Sequence, residues 1–376
     1  MKKVGIITHY YGSQNYGGLL QAYALCKKLN ALGYDAEQIQ YIHENTQELS
    51  SVIRKWNMRR IANAVKIRFL RVKEKEFWGN MKKRSNALEE FRTRIPHSLE
   101  VYSKDTISQS NDSYDAFITG SDQVWNMDWY DEAYFLKFVE NKPKYSYAAS
   151  VGTNELTAER QKLFKENLAD YTKISVREKD SVELLQPLVK VEIQHVLDPT
   201  LLLSKNEWDE ICFGKRIQEK YLFCYFLGEG IIERQLAREY ADAHELKIVT
   251  LPFLNGQKRK CDEKFGDVKL YDVSPGEFVS LIKYSDCVFT DSFHACVFSN
   301  IYEKNFFVFP RSGADKMSNR ITSLLTLFNN QERFCDSSEK QNRQYIEFTR
   351  KIQSDTVDFQ KEVDKSIDFL KEVDIT

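Results

Sequence analysis

The sequence has 376 residues, with 54 Lys and Arg against 55 Asp and Glu, so its formal net charge is −1. That balance lacks the basic excess of a nucleic-acid-binding domain, and 42% apolar residues exclude disordered and fibrous classes. At roughly 150 residues per domain, the length suggests two to three domains.

The chain opens MKKVGIITHYYG, with no signal-peptide apolar region, and its longest clean apolar runs, such as Tyr221 to Leu227, are far shorter than a membrane span. The expectation is a cytoplasmic protein. Lys3 to Thr8 (KVGIIT) reads as a buried strand, followed by the loop HYYGSQNYGG and a helix in LLQAYALCKKLNALG closed by Gly33. Further strands are expected at Glu37 to Ile42, Ala116 to Thr119, Tyr145 to Val151, Ile174 to Arg177 and Glu192 to Val196. A second series follows at Tyr221 to Leu227, Lys247 to Leu251, Asp286 to Thr290 and Phe306 to Phe309. Short apolar strands alternating with helical segments imply an α/β fold, with parallel sheets carrying helices on both faces.

LDPTLLLSKNEW ends the first series. The boundary is therefore placed at 1–204 for an N-terminal domain and 205–340 for a C-terminal one, with 341–376 a closing amphipathic helix on Phe359, Val363, Ile367 and Leu370. From Arg54 to Arg94 there are 14 Lys and Arg and 4 Asp and Glu, and Ile61, Val65, Phe69 and Val72 recur at helical spacing. This basic insertion fits either a solvated helix face or a surface that meets an anionic substrate or the inner face of a membrane. The seven cysteines are scattered, with no CxxC pair, and read as reduced core thiols.

Standard catalytic spellings are missing: there is no GxxxxGK[ST], HExxH, GxSxG or GxGxxG. What remains is a set of polar signatures at strand ends, where open α/β sheets bind ligands. Asn15, Tyr16 and Gly17 start a helix and offer either an anion or sugar approach or simply a tight turn. Ser121, Asp122, Gln123 and Asn126 follow a strand, with Trp125 available to stack on a sugar face. Arg177 ends a strand and, taken alone, reads as a surface arginine. Ser292 and His294 precede an apolar helix, and Lys316, Asn319 and Arg320 follow the next strand. Together these five residues suit a phosphate or carboxylate. Nothing in the pattern demands a metal.

The segments NYGGLLQAYAL (15–25), TGSDQVWN (119–126), SYAASVG (146–152), ISVREKDS (174–181), LDPTLLL (197–203), TDSFHACVFS (290–299) and MSNRITSLL (317–325) occur in this order. In this the chain resembles the polysaccharide pyruvyltransferase family. Gly18 stands where many members carry an acidic residue, and Ala295 where glycine commonly follows the histidine. The resemblance implies two Rossmann-like domains facing a cleft, like GT-B glycosyltransferases. It further implies transfer of the enolpyruvyl group of phosphoenolpyruvate onto two hydroxyls of one sugar, giving a cyclic pyruvate ketal and phosphate. The acceptor would be a polysaccharide or its lipid-diphosphate-linked precursor, with no cofactor beyond the co-substrate.

On this reading Ser292, His294, Lys316, Asn319, Arg320 and Arg177 bind the donor, and Asn15, Tyr16, Gly17, Ser121, Asp122, Gln123, Trp125 and Asn126 bind the acceptor. The family suggests a general acid at the position of Arg177, but a guanidinium with a pKa above ~12 is a poor proton donor. Arg177 is therefore expected as a clamp, and His294, with an ordinary pKa of ~6.5, as the proton carrier or phosphate partner. The competing readings are a nucleotide-sugar glycosyltransferase of the same architecture and a non-catalytic carbohydrate-binding protein on that scaffold.

Overall fold

The computed structural model describes residues 1–43, 75–254, 259–311, 318–335 and 357–373. Two compact units divide the chain: Met1–Pro199 together with Asp368–Thr376, and Thr200–Ile367.

The first unit is built on a seven-stranded sheet in the order β3-β2-β1-β4-β5-β6-β7. Its strands are β1 (Lys3–Ile7), β2 (Asp35–Tyr41), β3 (His97–Tyr102), β4 (Ala116–Thr119), β5 (Lys144–Ala149), β6 (Lys173–Val176) and β7 (Ile193–His195). Every pairing is parallel, so all the strands end on one edge of the sheet. β1 and β4 are apolar nearly throughout and β5 is buried along its whole length, as strands covered on both faces are. Helices α1 (Tyr16–Ala31), α2 (Lys75–Arg92), α3 (Ala158–Asn167) and α4 (Lys179–Leu185) connect them.

The side chain of Asn15 caps α1 by accepting the Gly17 N–H at 3.0 Å. Trp125 stacks on Phe135 with centroids 5.8 Å apart and meets Phe164 and Tyr171 edge-on, filling the core beside β4. β3 was not expected from sequence: HSLEVY interrupts its apolar positions with charge, as an edge strand can, and Leu99 is almost fully exposed. The expected amphipathic run from Ile61 to Val72 lies outside the described residues.

The second unit holds a five-stranded parallel sheet, order β10-β9-β8-β11-β12. Its strands are β8 (Tyr221–Tyr225), β9 (Lys247–Thr250), the two-residue β10 (Val268–Lys269), β11 (Cys287–Thr290) and β12 (Asn305–Val308). The helices are α5 (Lys205–Asp209), α6 (Ile232–Ala243), α7 (Lys260–Glu263), α8 (Pro275–Lys283), α9 (Phe293–Ile301), α10 (Ser318–Leu327) and α11 (Val357–Lys371). Capping boxes start α5 at Ser204 with Glu207 and α8 at Ser274 with Glu277. Phe289, Phe307 and Phe309 pack together in the core, their ring centroids 5.3 Å apart in the two pairs that Phe289 makes. The last turn of α11 belongs to the first unit, where Tyr34 Oη lies 3.2 Å from the Leu370 carbonyl and 3.1 Å from that of Val373. Residues 341–356, where the closing helix was expected to begin, lie outside the described residues. The seven cysteines are free thiols.

Candidate active site

In each sheet the strand order reverses once, between β1 and β4 in the first unit and between β8 and β11 in the second. The loops leaving the two strands there diverge to opposite sides, which opens a crevice at the carboxyl ends. Asn15 to Gly17, Ser121 to Asn126, Ser292 and His294 follow the strands at these two places, whereas Arg177 follows β6.

In the first unit, Thr8 after β1 and Ser121 after β4 are tied together. Thr8 Oγ1 donates to the Ser121 carbonyl at 2.7 Å, and Gln21 of α1 bridges the two, donating to Thr8 Oγ1 and accepting the Ser121 N–H. Gly120 is obligatory in this turn. Its φ is +115°, and a Cβ would sit 2.2 Å from the Tyr147 carbonyl oxygen. The Ser121 hydroxyl is fully buried against Asp198 at 3.3 Å.

Arg177, at the end of β6, donates to Asp198 at 2.9 Å and to Glu178 at 3.0 Å, and lies 3.6 Å from Asp122. Glu178 also accepts from the Ser150 hydroxyl, and the Ser150 N–H donates to the Asp122 carbonyl. Burial alone would pull the Arg177 pKa down, but Glu178, Asp198 and Asp122 reverse this and raise it above the ordinary guanidinium value. One cation thus faces three carboxylates. The clamp role expected of Arg177 does not fit, because three carboxylates already face it and the surrounding charge is negative, which repels phosphate and carboxylate.

Two acceptor-side expectations also need correction. Trp125 is fully buried, its indole N–H donating to the Tyr134 carbonyl at 3.2 Å, so no sugar reaches its face. Ser121 is likewise enclosed. Asn15 caps α1, and Asn126 caps the short turn after it by accepting the Asp128 N–H at 3.0 Å. Tyr16 and Gly17 are buried, whereas Asp122 and Gln123 keep partial exposure.

His9 and His43 were missed. His9 follows β1, with its ring 4.1 Å from that of Tyr134. His43 follows β2, its ring stacked at 5.8 Å from that of Tyr134 and edge-on to His9 at 6.1 Å, with its Nε2 3.6 Å from Asp131. Asp131 also accepts from Tyr41 Oη at 2.8 Å. Burial pushes the His9 pKa down to about 4, against the opposing pull of Asp122, so its imidazole is neutral at pH 7. A histidine directly after the first apolar strand is a signal that the strand-end rule applied to Arg177 would have found.

In the second unit, the carboxylate of Asp291, after β11, accepts the Leu227 and Gly228 N–H groups after β8 at 2.7 and 2.6 Å. Arg311, just after β12, donates to the Asp291 carbonyl at 3.1 Å, with its Nε 3.5 Å from the Asp291 carboxylate. Ser292 is the N-cap residue of α9 and His294 its second residue, and both are mostly buried. Glu233, early in α6, is raised in pKa by burial and then by Asp291. Arg320 lies half-buried on α10. Lys316 is outside the described residues, as is the side chain of Asn319. Arg311 and Glu233 were missed, although Arg311 sits two residues past an expected strand.

The family model described as "Polysaccharide pyruvyl transferase" matches residues 15–313. No curated protein sequence matches the chain. Among solved structures, the UDP-GlcNAc 2-epimerase from Methanocaldococcus jannaschii is similar with a TM-score of 0.53 at 10% identity, covering 98% of this chain and 99% of that one. A putative UDP-N-acetylglucosamine 2-epimerase from Listeria monocytogenes gives 0.52 at 12% identity, covering 99% and 97%. At such identities the likeness shows the fold, which is of the GT-B class.

Proposed function

Because the chain belongs to the polysaccharide pyruvyl transferase family, we propose that it moves the enolpyruvyl group of phosphoenolpyruvate onto two hydroxyls of one sugar, forming a cyclic ketal. The acceptor is a polysaccharide or its lipid-linked precursor, and the protein works in the cytoplasm. In the balanced reaction the two hydroxyl protons go to the methylene carbon, which becomes a methyl group, and to the departing phosphate. Two C–O bonds form at the central carbon as its bond to the phosphate oxygen breaks.

The observation that carries this reading is the junction after β11, where His294 opens α9 beside Asp291, and Asp291 in turn anchors Arg311. An imidazole and a guanidinium that follow the paired strands β11 and β12 suit a doubly anionic, proton-requiring donor. Ser292, His294, Lys316, Asn319 and Arg320 are assigned to the donor, and Arg311 joins them. In the first unit, Asp122 and Gln123 offer sugar hydroxyls a carboxylate and an amide. His9, neutral, accepts a hydrogen bond from a hydroxyl there. Arg177 is a positioning residue that keeps Asp122, Glu178 and Asp198 together.

The test is phosphate release from phosphoenolpyruvate across a panel of glycan acceptors, with the methyl ketal detected in the product by NMR. Release that requires both acceptor and His294 supports the reading. Turnover of nucleotide sugars with no release from phosphoenolpyruvate overturns it.

A further inference from the structure

The loop entering α1 is bordered by more buried positive charge than the described groups around it neutralise. Arg84 of α2 is 5% exposed, and its guanidinium lies over the Tyr16 ring at 5.5 Å. Its Nε and Nη2 are buried with no hydrogen-bond partner. Arg92, about two turns further along α2, is 6% exposed. It donates from Nη2 to the Ser13 carbonyl at 3.0 Å and pairs through Nη1 with Glu89, while its Nε is buried and unpartnered. The fully buried Tyr10 hydroxyl, which feels the charge of Arg92, is also without a partner.

Among the described residues countercharge is scarce. Glu89 is more than half exposed, and the first turn of α1 carries no acidic residue. Glu37, a carboxylate that acts on Tyr10, is engaged by Lys3 at 3.3 Å and by Tyr114 at 2.8 Å. Burying a guanidinium without an anion is costly, and burial lowers the pKa of Arg92. The N-terminus of a sixteen-residue helix adds its own positive end. Gly12, Gln14 and Asn15 are exposed, so the loop offers a way in from solvent.

We propose that Arg84, Arg92 and the Tyr10 hydroxyl form a phosphoryl-binding site at the start of α1. Two guanidinium forks and a hydroxyl match the several oxygens and the double charge of a phosphate or diphosphate. The donor's phosphate is assigned to the second unit, so this group belongs to the acceptor, as a glycosyl phosphate or diphosphate. That last step rests on the pyruvyl-transfer reading; the site itself does not.

Calorimetric titration of the full chain with inorganic pyrophosphate tests the site. Binding is expected to weaken at least tenfold in Arg84→Gln and in Arg92→Gln and to persist in Arg311→Ala, which separates it from the anion-binding residues of the second unit. Without pyrophosphate, Arg84→Met should melt no lower than wild type, and only wild type should gain melting temperature when pyrophosphate is added. No binding, wild-type affinity in both glutamine variants, or a marked loss of melting temperature in Arg84→Met overturns the site in favour of a structural role. The source is then read from kinetics with matched glycans bearing or lacking a diphosphate. A tenfold rise in KM in Arg84→Gln confined to the diphosphate form identifies the acceptor. Equal effects assign the site to free phosphate and overturn the acceptor step. If phosphoenolpyruvate is not a substrate at all, the pyrophosphate titration still decides the site.

Discussion

Arg177 donates from Nη1 to the fully buried Asp198 carboxylate at 2.9 Å, joining the end of β6 to the turn that follows β7. Removing the arginine strands three carboxylates in a low-dielectric cluster, so Arg177→Met is expected to cost about 3–5 kcal/mol. Asp198→Asn in the same chain should recover part of that loss, because the two sites share one network. Denaturant titration of both single variants and the double checks this. Full additivity would mean that the pair is not coupled. A Michaelis constant for phosphoenolpyruvate that alone rises in Arg177→Lys would restore the clamp role.

His294→Ala should lower phosphoenolpyruvate-dependent phosphate release by about 10²–10⁴-fold, the usual range for losing a general acid or base. Its circular dichroism spectrum and melting temperature should stay close to those of the parent. Turnover near the parent's would take the proton-carrying role away from His294.

Arg311→Ala is expected to raise the Michaelis constant for phosphoenolpyruvate about tenfold, equivalent to ~1.4 kcal/mol of binding, and to leave that for the acceptor unchanged. Arg320→Ala and Lys316→Ala should act in the same direction. Steady-state kinetics with each substrate varied in turn distinguishes donor contacts from general damage, which would move both constants.

His9 predicts an acid-side loss of stability. Its pKa is about 4 when folded against 6.5 ordinarily, so between these values the unfolded chain binds a proton that the folded chain does not. Its contribution is complete above pH 6.5 and disappears as pH falls toward 4, amounting to on the order of 3 kcal/mol. Asp122 and Asp131 oppose the depression and His43 adds to it. Unfolding free energies measured at pH 7 and pH 5 for the parent and for His9→Gln isolate the effect. The parent should lose more between the two than the variant, and identical losses would contradict a buried neutral imidazole.

Trp125→Ala should destabilise by about 3–5 kcal/mol, as a large core aromatic does. Trp125→Phe should keep the Michaelis constant for the acceptor, since the ring contacts Phe135, Phe164 and Tyr171 rather than solvent. A selective acceptor defect in Trp125→Phe would reopen the stacking role.

Much of the fold is legible in the sequence because strands buried on both faces are short apolar runs, and ten of them stand between helical segments and turn residues. β3 escapes that rule, since an edge strand tolerates the charge in HSLEVY. Site positions are legible for the same reason: a parallel sheet delivers whatever follows its strands to one edge. Roles are not, because they depend on partners far away in sequence. Arg177 looks like an anion binder until Asp122 and Asp198 are found beside it. Trp125 looks available to a sugar until Phe135 and Phe164 close over it.

Residues 368–376 complete the first unit although the whole of the second precedes them in the chain. On the ribosome, the second unit therefore emerges in full while the first still lacks the turn that seats against Tyr34 and that brings Glu372 to Lys173. Final consolidation of the first unit is a late event in synthesis, and a chain shortened by a dozen residues would damage the unit that was made first.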